Sequence, residues 1–265
     1  MSGLLNRNKI TLLVCNMAGT TINESGIIYK SLYDTLAKLG LGEKGWKKRG
    51  EVGGRQGCCD ESDNSKSHSD IIRKHINEYF EPYPENISKF EYINKYKKLY
   101  REVEIDTLNE LRSQYFNVNT DNPVSLIDPD LLDLFSHLRF NGVKVALNTG
   151  YSQDFQQEII SHFKLKNHID NYISSEEVSV GKPYPYMIHT LMERTQIRDV
   201  KNVAKIGDTK DDMLEGKNAG CGLTIGVLTG STSETELRNY GADIVLKSIM
   251  DLNNTDMFNN CPFLL

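Results

Sequence analysis

The feature that most limits how this chain can fold is a series of short aliphatic runs, each ending in small or polar residues. "KITLLVCN", "GVKVALNTG", "NYISSEE", "NVAKIGDT", "LTIGVLTG" and "ADIVLKS" recur along it, with helical patterns between most of them. A β-branched run that stops at a Gly or Thr turn is what a buried parallel strand requires. Strand alternating with helix then predicts an α/β fold, a doubly wound Rossmann-like parallel sheet. In such sheets ligands meet the carboxyl ends of the strands. One intervening helix is plain in "PDLLDLFSHLRFNG": Pro129 at its start, Leu131, Leu132, Phe135 and Leu138 on one face, and Gly142 just past its end.

Between about residue 24 and residue 122 strand signals vanish. Charged helical stretches replace them: "KSLYDTLAKLG", "SDIIRKHINEYF" and "ISKFEYINKYKKLYREVEIDTLNELRSQYF". Residues 24–122 therefore read as a helical insertion after the first strand, interrupting a core made of residues 1–23 and 123–265. Asn122-Pro123 punctuates the return. Tyr92, Tyr96 and Tyr100 read as helix-packing surface rather than as stacking platforms for bases.

Charge removes some partners. With 31 basic and 36 acidic residues the net charge is −5, so no basic field recommends nucleic acid or an anionic membrane. The stretch "KGWKKRG" reads as a solvated helix end or loop. "MSGLLNRNKI" lacks the apolar core of a signal peptide, and no run of roughly 18 apolar residues could span a bilayer, so a cytoplasmic protein is expected. Cys15, Cys58, Cys59, Cys221 and Cys261 are odd in number and lack C-x-x-C spacing, which fits a reducing compartment. Adjacent Cys58 and Cys59 have no second Cys/His pair at ligand spacing and read as structural.

Four fragments at predicted strand ends carry the chemistry: "NMAGTT", "LNTG" with Thr149, "VGKPYP" with Lys182, and "GDTKDD" with Asp208 and Asp212. In this order they resemble the haloacid dehalogenase superfamily of phosphoryl-transfer hydrolases. The resemblance covers essentially the whole chain, with the helical insertion similar to that superfamily's mobile cap. It implies a nucleophilic aspartate at the position of Asn16 and a phosphoryl group held by Gly19, Thr20, Thr149, Gly150 and Lys182. It also implies Mg2+ held at Asn16, Ala18, Asp208 and Asp212. The chemistry is consistent with this: charge spreading over a phosphoryl group asks for a cation, an ammonium, a hydroxyl and backbone N–H groups to converge on it. Hard carboxylate oxygens suit Mg2+. Each residue has a plainer reading beside this one. The two aspartates could cap a helix N-terminus, Thr149 could cap the helix beginning near Gln153, and Lys182 could make a surface salt bridge.

Ala18 narrows the resemblance. Most phosphatases of the superfamily have a second aspartate there as general acid and base. "MAGTT" with "INESGIIYKSLYDTLAKLG", "GKPYPYMIHTLM" and "TIGVLTGSTSETELRNYGADIVLKSIMDL" resembles the phosphonatase (phosphonoacetaldehyde hydrolase) branch, where Ala stands in that place. That branch uses a cap lysine as an imine-forming amine and is often dimeric through its cap, which implies a homodimer and a small phosphonate or phosphate ester as partner. Here the cap motif is interrupted by "RQGCCDESDN". Counting back from Ile72-Arg73 puts His68 at the imine position, with Lys66 as the lysine that could reach it and an ordinary solvated lysine as its plainer reading.

Asn16 is the larger departure. An amide has no anionic oxygen and cannot form an aspartyl-phosphate, though its carbonyl oxygen could still meet Mg2+. Three readings follow. In one, a native aspartate has been exchanged to trap substrate. In another, the chain is a natural pseudoenzyme or binding protein keeping an anion and Mg2+ site. In the third it is a small-metabolite phosphatase, which Ala18 disfavours. Asn23, where this branch often has Asp, leans toward natural divergence.

Overall fold

The computed structural model describes residues 9–24, 27–41, 68–80, 88–114 and 124–254; Lys66, Cys58, Cys59 and Cys261 lie outside the described residues. The chain divides into two compact units, Met1–Asn23 with Ser125–Leu265, and Glu24–Val124.

Among the described residues the first unit holds eight strands: β1 (Leu12–Asn16), β2 (Ile22–Asn23), β3 (Ser125–Leu126), β4 (Lys144–Thr149), β5 (Asn171–Ser174), β6 (Val203–Gly207), β7 (Leu223–Val227) and β8 (Ile244–Leu246). Six of them form one sheet in the order β5-β4-β1-β6-β7-β8. Every pairing in it is parallel. This is the doubly wound topology, and the chain reverses direction across the sheet between β1 and β6, where such folds open a crevice at their strand ends. Strands β1, β6 and β7 are buried along their whole length, as aliphatic runs covered on both faces must be. Lys205 is the charged exception, in the middle of β6 with no exposed surface.

The helix read from "PDLLDLFSHLRFNG" spans Leu131–Phe140 and buries Leu131, Leu134, Phe135 and Leu138, with Asp130 rather than Pro129 at its N-cap. Gly142 follows it at φ +77°, a left-handed conformation that glycine adopts without steric penalty. Strands β2 and β3 pair antiparallel as a short ribbon at the chain's exit from and return to this unit. Two residues per strand are too few to leave a periodic pattern, so the ribbon was not anticipated.

The second unit is helical among the described residues, with helices Ile27–Lys38, His68–Tyr79 and Lys89–Gln114. Leu32, Leu36, Ile71, Ile72, Ile76 and Val103 form its core, and Tyr96 and Tyr100 pack against that core partly buried. Each fully buried aliphatic side chain stabilises by about 1.5–3 kcal/mol. Tyr92 meets Phe80 edge to face at 5.1 Å, so the tyrosine series packs helices, as its spacing predicted. No helix among the described residues is long and apolar enough to cross a membrane.

Candidate functional site

Strand order builds the site. Central β1 ends at Asn16, in register with Asn148 of β4, so Thr149 follows on one side; β6 ends at Gly207 on the other, and Asp208 follows it. The turn after β1 folds back on itself. Thr21 and Ile22 donate their N–H groups to the Met17 carbonyl at 2.9 Å, and Gly19 donates to the Ile22 carbonyl at 2.9 Å. The N–H of Thr20 also goes to Met17, at 3.3 Å. The Gly19 and Thr20 amides, expected on phosphoryl oxygens, are thus committed inside the turn. Gly19 has φ +70°, and a Cβ there would overlap the Asp208 carboxylate. Gly230 presses on Asp208 in the same way.

Asn16 is almost fully buried, and both ends of its amide are held. Its Nδ2 donates to the Ala18 carbonyl oxygen at 2.7 Å and to Asp208 Oδ1 at 2.9 Å. Its Oδ1 accepts from Lys182 Nζ at 2.7 Å. The reversed amide would set N–H against an ammonium and oxygen against two oxygens, so the network dictates this orientation. Thr20 Oγ1 also donates to Asp208 Oδ1, at 2.9 Å.

Asp212 has a different set of partners. Its Oδ1 accepts from Lys182 at 2.7 Å and pairs with Lys205 at 2.9 Å. Its Oδ2 accepts from the Thr209 hydroxyl at 2.6 Å, and the Asp212 N–H donates back to that hydroxyl at 3.3 Å. This is a capping box on the helix Lys210–Ala219, so the capping reading holds for Asp212 together with an ion-pair role. Asp212 was expected among metal oxygens; both its oxygens are engaged by lysines and a threonine. Lys182, whose plainer reading was a surface salt bridge, is nearly buried and bridges Asn16 and Asp212.

Behind Asp212 lies a set of residues that sequence reasoning missed. Lys205 pairs with Glu215 Oε2 at 3.1 Å and donates to Asn148 Oδ1 at 2.7 Å, and the Asn148 amide donates to both Glu215 oxygens at 2.9 Å. All three are without exposed surface. Two signals were legible: a lysine inside the aliphatic run "VAKIG", and a glutamate one helical turn after Asp212 on the same face.

The electrostatics follow. Burial, then the neighbouring Asp212 charge, push the Asp208 carboxyl up to about 6 against hydrogen bonds from Asn16 and Thr20 that lower it. For Asp212 burial also acts upward, but Lys182 and Lys205 outweigh it and hold the group well below the usual carboxylate range. Burial would lower Lys205, yet Asp212 and Glu215 hold it above its ordinary value.

Thr149 is buried at the end of β4, and its Oγ1 accepts from the Tyr151 N–H at 3.2 Å. Ser152, not Thr149, caps the helix Gln153–His162, accepting from the Phe155 N–H at 3.5 Å. The capping alternative for Thr149 is thereby corrected, because a cap must lie immediately before the first helical turn. The Gly150 carbonyl accepts from Ser175 Oγ at 3.3 Å. His68 is the first residue of the helix His68–Tyr79.

The donor set can now be tested against Mg2+, which asks for several oxygens around one centre. Ala18 O and Asp208 Oδ1 do converge, but the group between them is the Asn16 amide nitrogen, a hydrogen-bond donor. Among the described residues no group of three His, Cys, Asp or Glu side chains could hold a metal ion. As arranged, these residues do not fit a divalent cation.

Three Bacillus and Parabacteroides proteins, each a phosphonoacetaldehyde hydrolase, are similar in sequence. The protein from Parabacteroides distasonis is 34% identical over 43% of this chain and 45% of its own length. The Bacillus cytotoxicus protein is 32% identical over 38% of each. That from Bacillus thuringiensis is 29% identical over 49% of this chain and 51% of its own. The chain thus spans about half or less of the length of the curated relatives it matches. In structure it is similar to a phosphonoacetaldehyde hydrolase-like protein from Oleispira antarctica, with TM-score 0.66 at 20% identity over 97% of this chain and 96% of that one. It is also similar to CbbY from Rhodobacter sphaeroides in complex with phosphate, with TM-score 0.61 at 15% identity over 92% and 96%. Both share the Rossmann-like α/β fold. Residues 60–226 match the haloacid dehalogenase-like hydrolases, which generally use Mg2+. A parallel sheet with Asn16, Thr149, Lys182 and Asp208 gathered at its strand ends, together with that match, places this chain in the haloacid dehalogenase-like hydrolase family.

Proposed function

We propose that this chain is a phosphonatase-like member of the family that binds the phosphonate or phosphate group of a small metabolite without hydrolysing it. The observation that carries the reading is the state of Asn16: its oxygen accepts from Lys182, and its nitrogen donates to Ala18 and Asp208. Covalent phosphoryl transfer needs an anionic oxygen to attack phosphorus, and the Asn16 amide has none. The Lys182 ammonium and the Thr149 hydroxyl remain as groups that could hold phosphoryl oxygens. The Ala18 side chain has no proton to give an oxygen leaving group, which favours a phosphonate over a phosphate monoester as ancestral substrate. The helical unit would serve as the cap that admits the metabolite, with Lys66 as its amine.

The test sets the natural chain and Asn16→Asp, each with Mg2+, against phosphonoacetaldehyde and a panel of phosphate monoesters. No turnover is expected from the natural chain. Asn16→Asp is expected to hydrolyse the phosphonate and to lose that activity when Lys66→Ala is added. Monoester hydrolysis that survives Lys66→Ala would replace the phosphonatase ancestry with a phosphatase one. Turnover by the natural chain would end the binding reading.

A further inference from the structure

We infer that the Asn16 side-chain amide takes the place of the divalent cation, so that this site is assembled, and holds its oxyanion, without metal. The inference deepens the proposed reading of the same site and rests on it.

A primary amide has two N–H groups. Two oxygens face Asn16 Nδ2, Ala18 O at 2.7 Å and Asp208 Oδ1 at 2.9 Å, so each of them takes one of the amide's two hydrogens. These are the oxygens that the resemblance assigns to Mg2+. A cation would have to displace the NH2 group from between them.

The surroundings oppose that displacement. Rotating the amide to offer its oxygen to a cation would turn the NH2 toward Lys182 Nζ, now 2.7 Å from Oδ1. Lys182 is itself anchored to Asp212 at 2.7 Å. Asp208 cannot swing away to make room. Thr20 holds its Oδ1 at 2.9 Å, and the backbones of Gly19 and Gly230 lie so close to the carboxylate that a Cβ at either would overlap it.

An aspartate at position 16 would behave in the opposite way. Its second carboxylate oxygen would face Ala18 O and Asp208 Oδ1 with no proton between them. Three convergent oxygens, two of them anionic, repel in a buried site unless a cation joins them or one carboxyl keeps its proton, and near neutral pH Mg2+ is the stronger remedy. The single exchange of oxygen for NH2 thus converts a metal-dependent cluster into one closed by hydrogen bonds.

The experiment uses the full chain and Asn16→Asp, both treated with EDTA. Thermal melts and MgCl2 calorimetry come first, then inorganic phosphate titrations followed by NMR with and without Mg2+. The natural chain is expected to give no Mg2+ heat, an unshifted melt and phosphate binding in EDTA. Asn16→Asp is expected to melt lower in EDTA, recover with Mg2+, and bind phosphate at least about tenfold more tightly with the metal. Stoichiometric Mg2+ binding by the natural chain overturns the inference, as does an Asn16→Asp protein indifferent to Mg2+. Should Asn16→Asp not fold, Mn2+ added to the natural chain decides alone. The Asn16 side-chain amide signals should persist, and their selective bleaching overturns the inference. The two readings separate cleanly. Phosphate bound only with Mg2+ sinks this inference and leaves the binding reading. Hydrolysis in EDTA sinks the binding reading and leaves this inference. No phosphate binding under either condition sinks both.

Discussion

The cluster around Lys205 and the cluster around Asn16 share Asp212, yet they balance charge differently. In the first, one lysine meets Asp212, Glu215 and Asn148, and each is without exposed surface. In the second, Lys182 reaches from a slightly exposed position to an amide, and the carboxylate beside that amide is held by neutral donors. The inner cluster is suited to folding, the outer one to chemistry. A fully buried set of opposite charges stands on its own whatever ligand arrives. On the proposed reading, the outer cluster holds an amide where the family's nucleophile would stand, and so keeps the geometry of catalysis without its reagent.

The widest gap between the two clusters should appear on breaking the inner one. Lys205→Met leaves Glu215 buried without its cation and Asp212 with Lys182 alone, and should lower unfolding free energy by about 3–5 kcal/mol in urea denaturation. A loss below about 1 kcal/mol would mean that the inner cluster is not the structural one. Lys182→Met attacks the outer cluster. Asp212 retains Lys205, so the stability loss should be smaller, about 1.5–3 kcal/mol, while inorganic phosphate binding weakens at least about tenfold.

Acidity offers a gentler probe. The folded chain holds a proton on Asp208 at about pH 6, whereas the unfolded chain holds it only near 3.8. This group's contribution to stability is therefore complete below pH 3.8 and is lost as pH rises from there through about 6. Asp212 runs the other way: its contribution is complete above the ordinary carboxylate range and is lost only on acidification below it. Between pH 7 and pH 5 the natural chain should gain about 1 kcal/mol relative to Asp208→Asn, measured by denaturation at each pH. An identical pH profile for the two would remove the charge argument for the outer cluster. The smallest effect belongs to Thr149→Val. Ser152 carries the helix cap, so stability should move by less than about 0.5 kcal/mol while phosphate affinity falls. A stability loss near that of a lost cap, about 1 kcal/mol, would return Thr149 to a structural role.

Much of the fold was legible because strands and helices of the α/β unit repeat short, local patterns. "LLVCN", "VALNT" and "VAKIG" each stop where the chain must turn, and those stops are where Asn16, Thr149 and Asp208 gather. What the sequence concealed is pairing at a distance. Lys205 meets Asn148 across 57 residues, and Asn16 meets Asp208 across 192, separations over which no periodicity speaks. The sharing of Asp212 between two lysines was hidden for the same reason. The capping role of Ser152 was a local matter, overlooked because Thr149 already had a function to suggest it. The helical unit was readable as helices from the same kind of local pattern.

The held amide of Asn16 has one more consequence, and it is genetic. Asparagine and aspartate have nearly the same shape, and their codons differ by a single base. Lys182 already grips one end of residue 16, and Ala18 and Asp208 already meet the other, so the exchange for aspartate asks for no repacking, only for a cation. A population carrying this gene therefore samples the carboxylate form by ordinary point mutation, and if the proposed reading holds, a selection for growth on a phosphonate would begin one transition away from it.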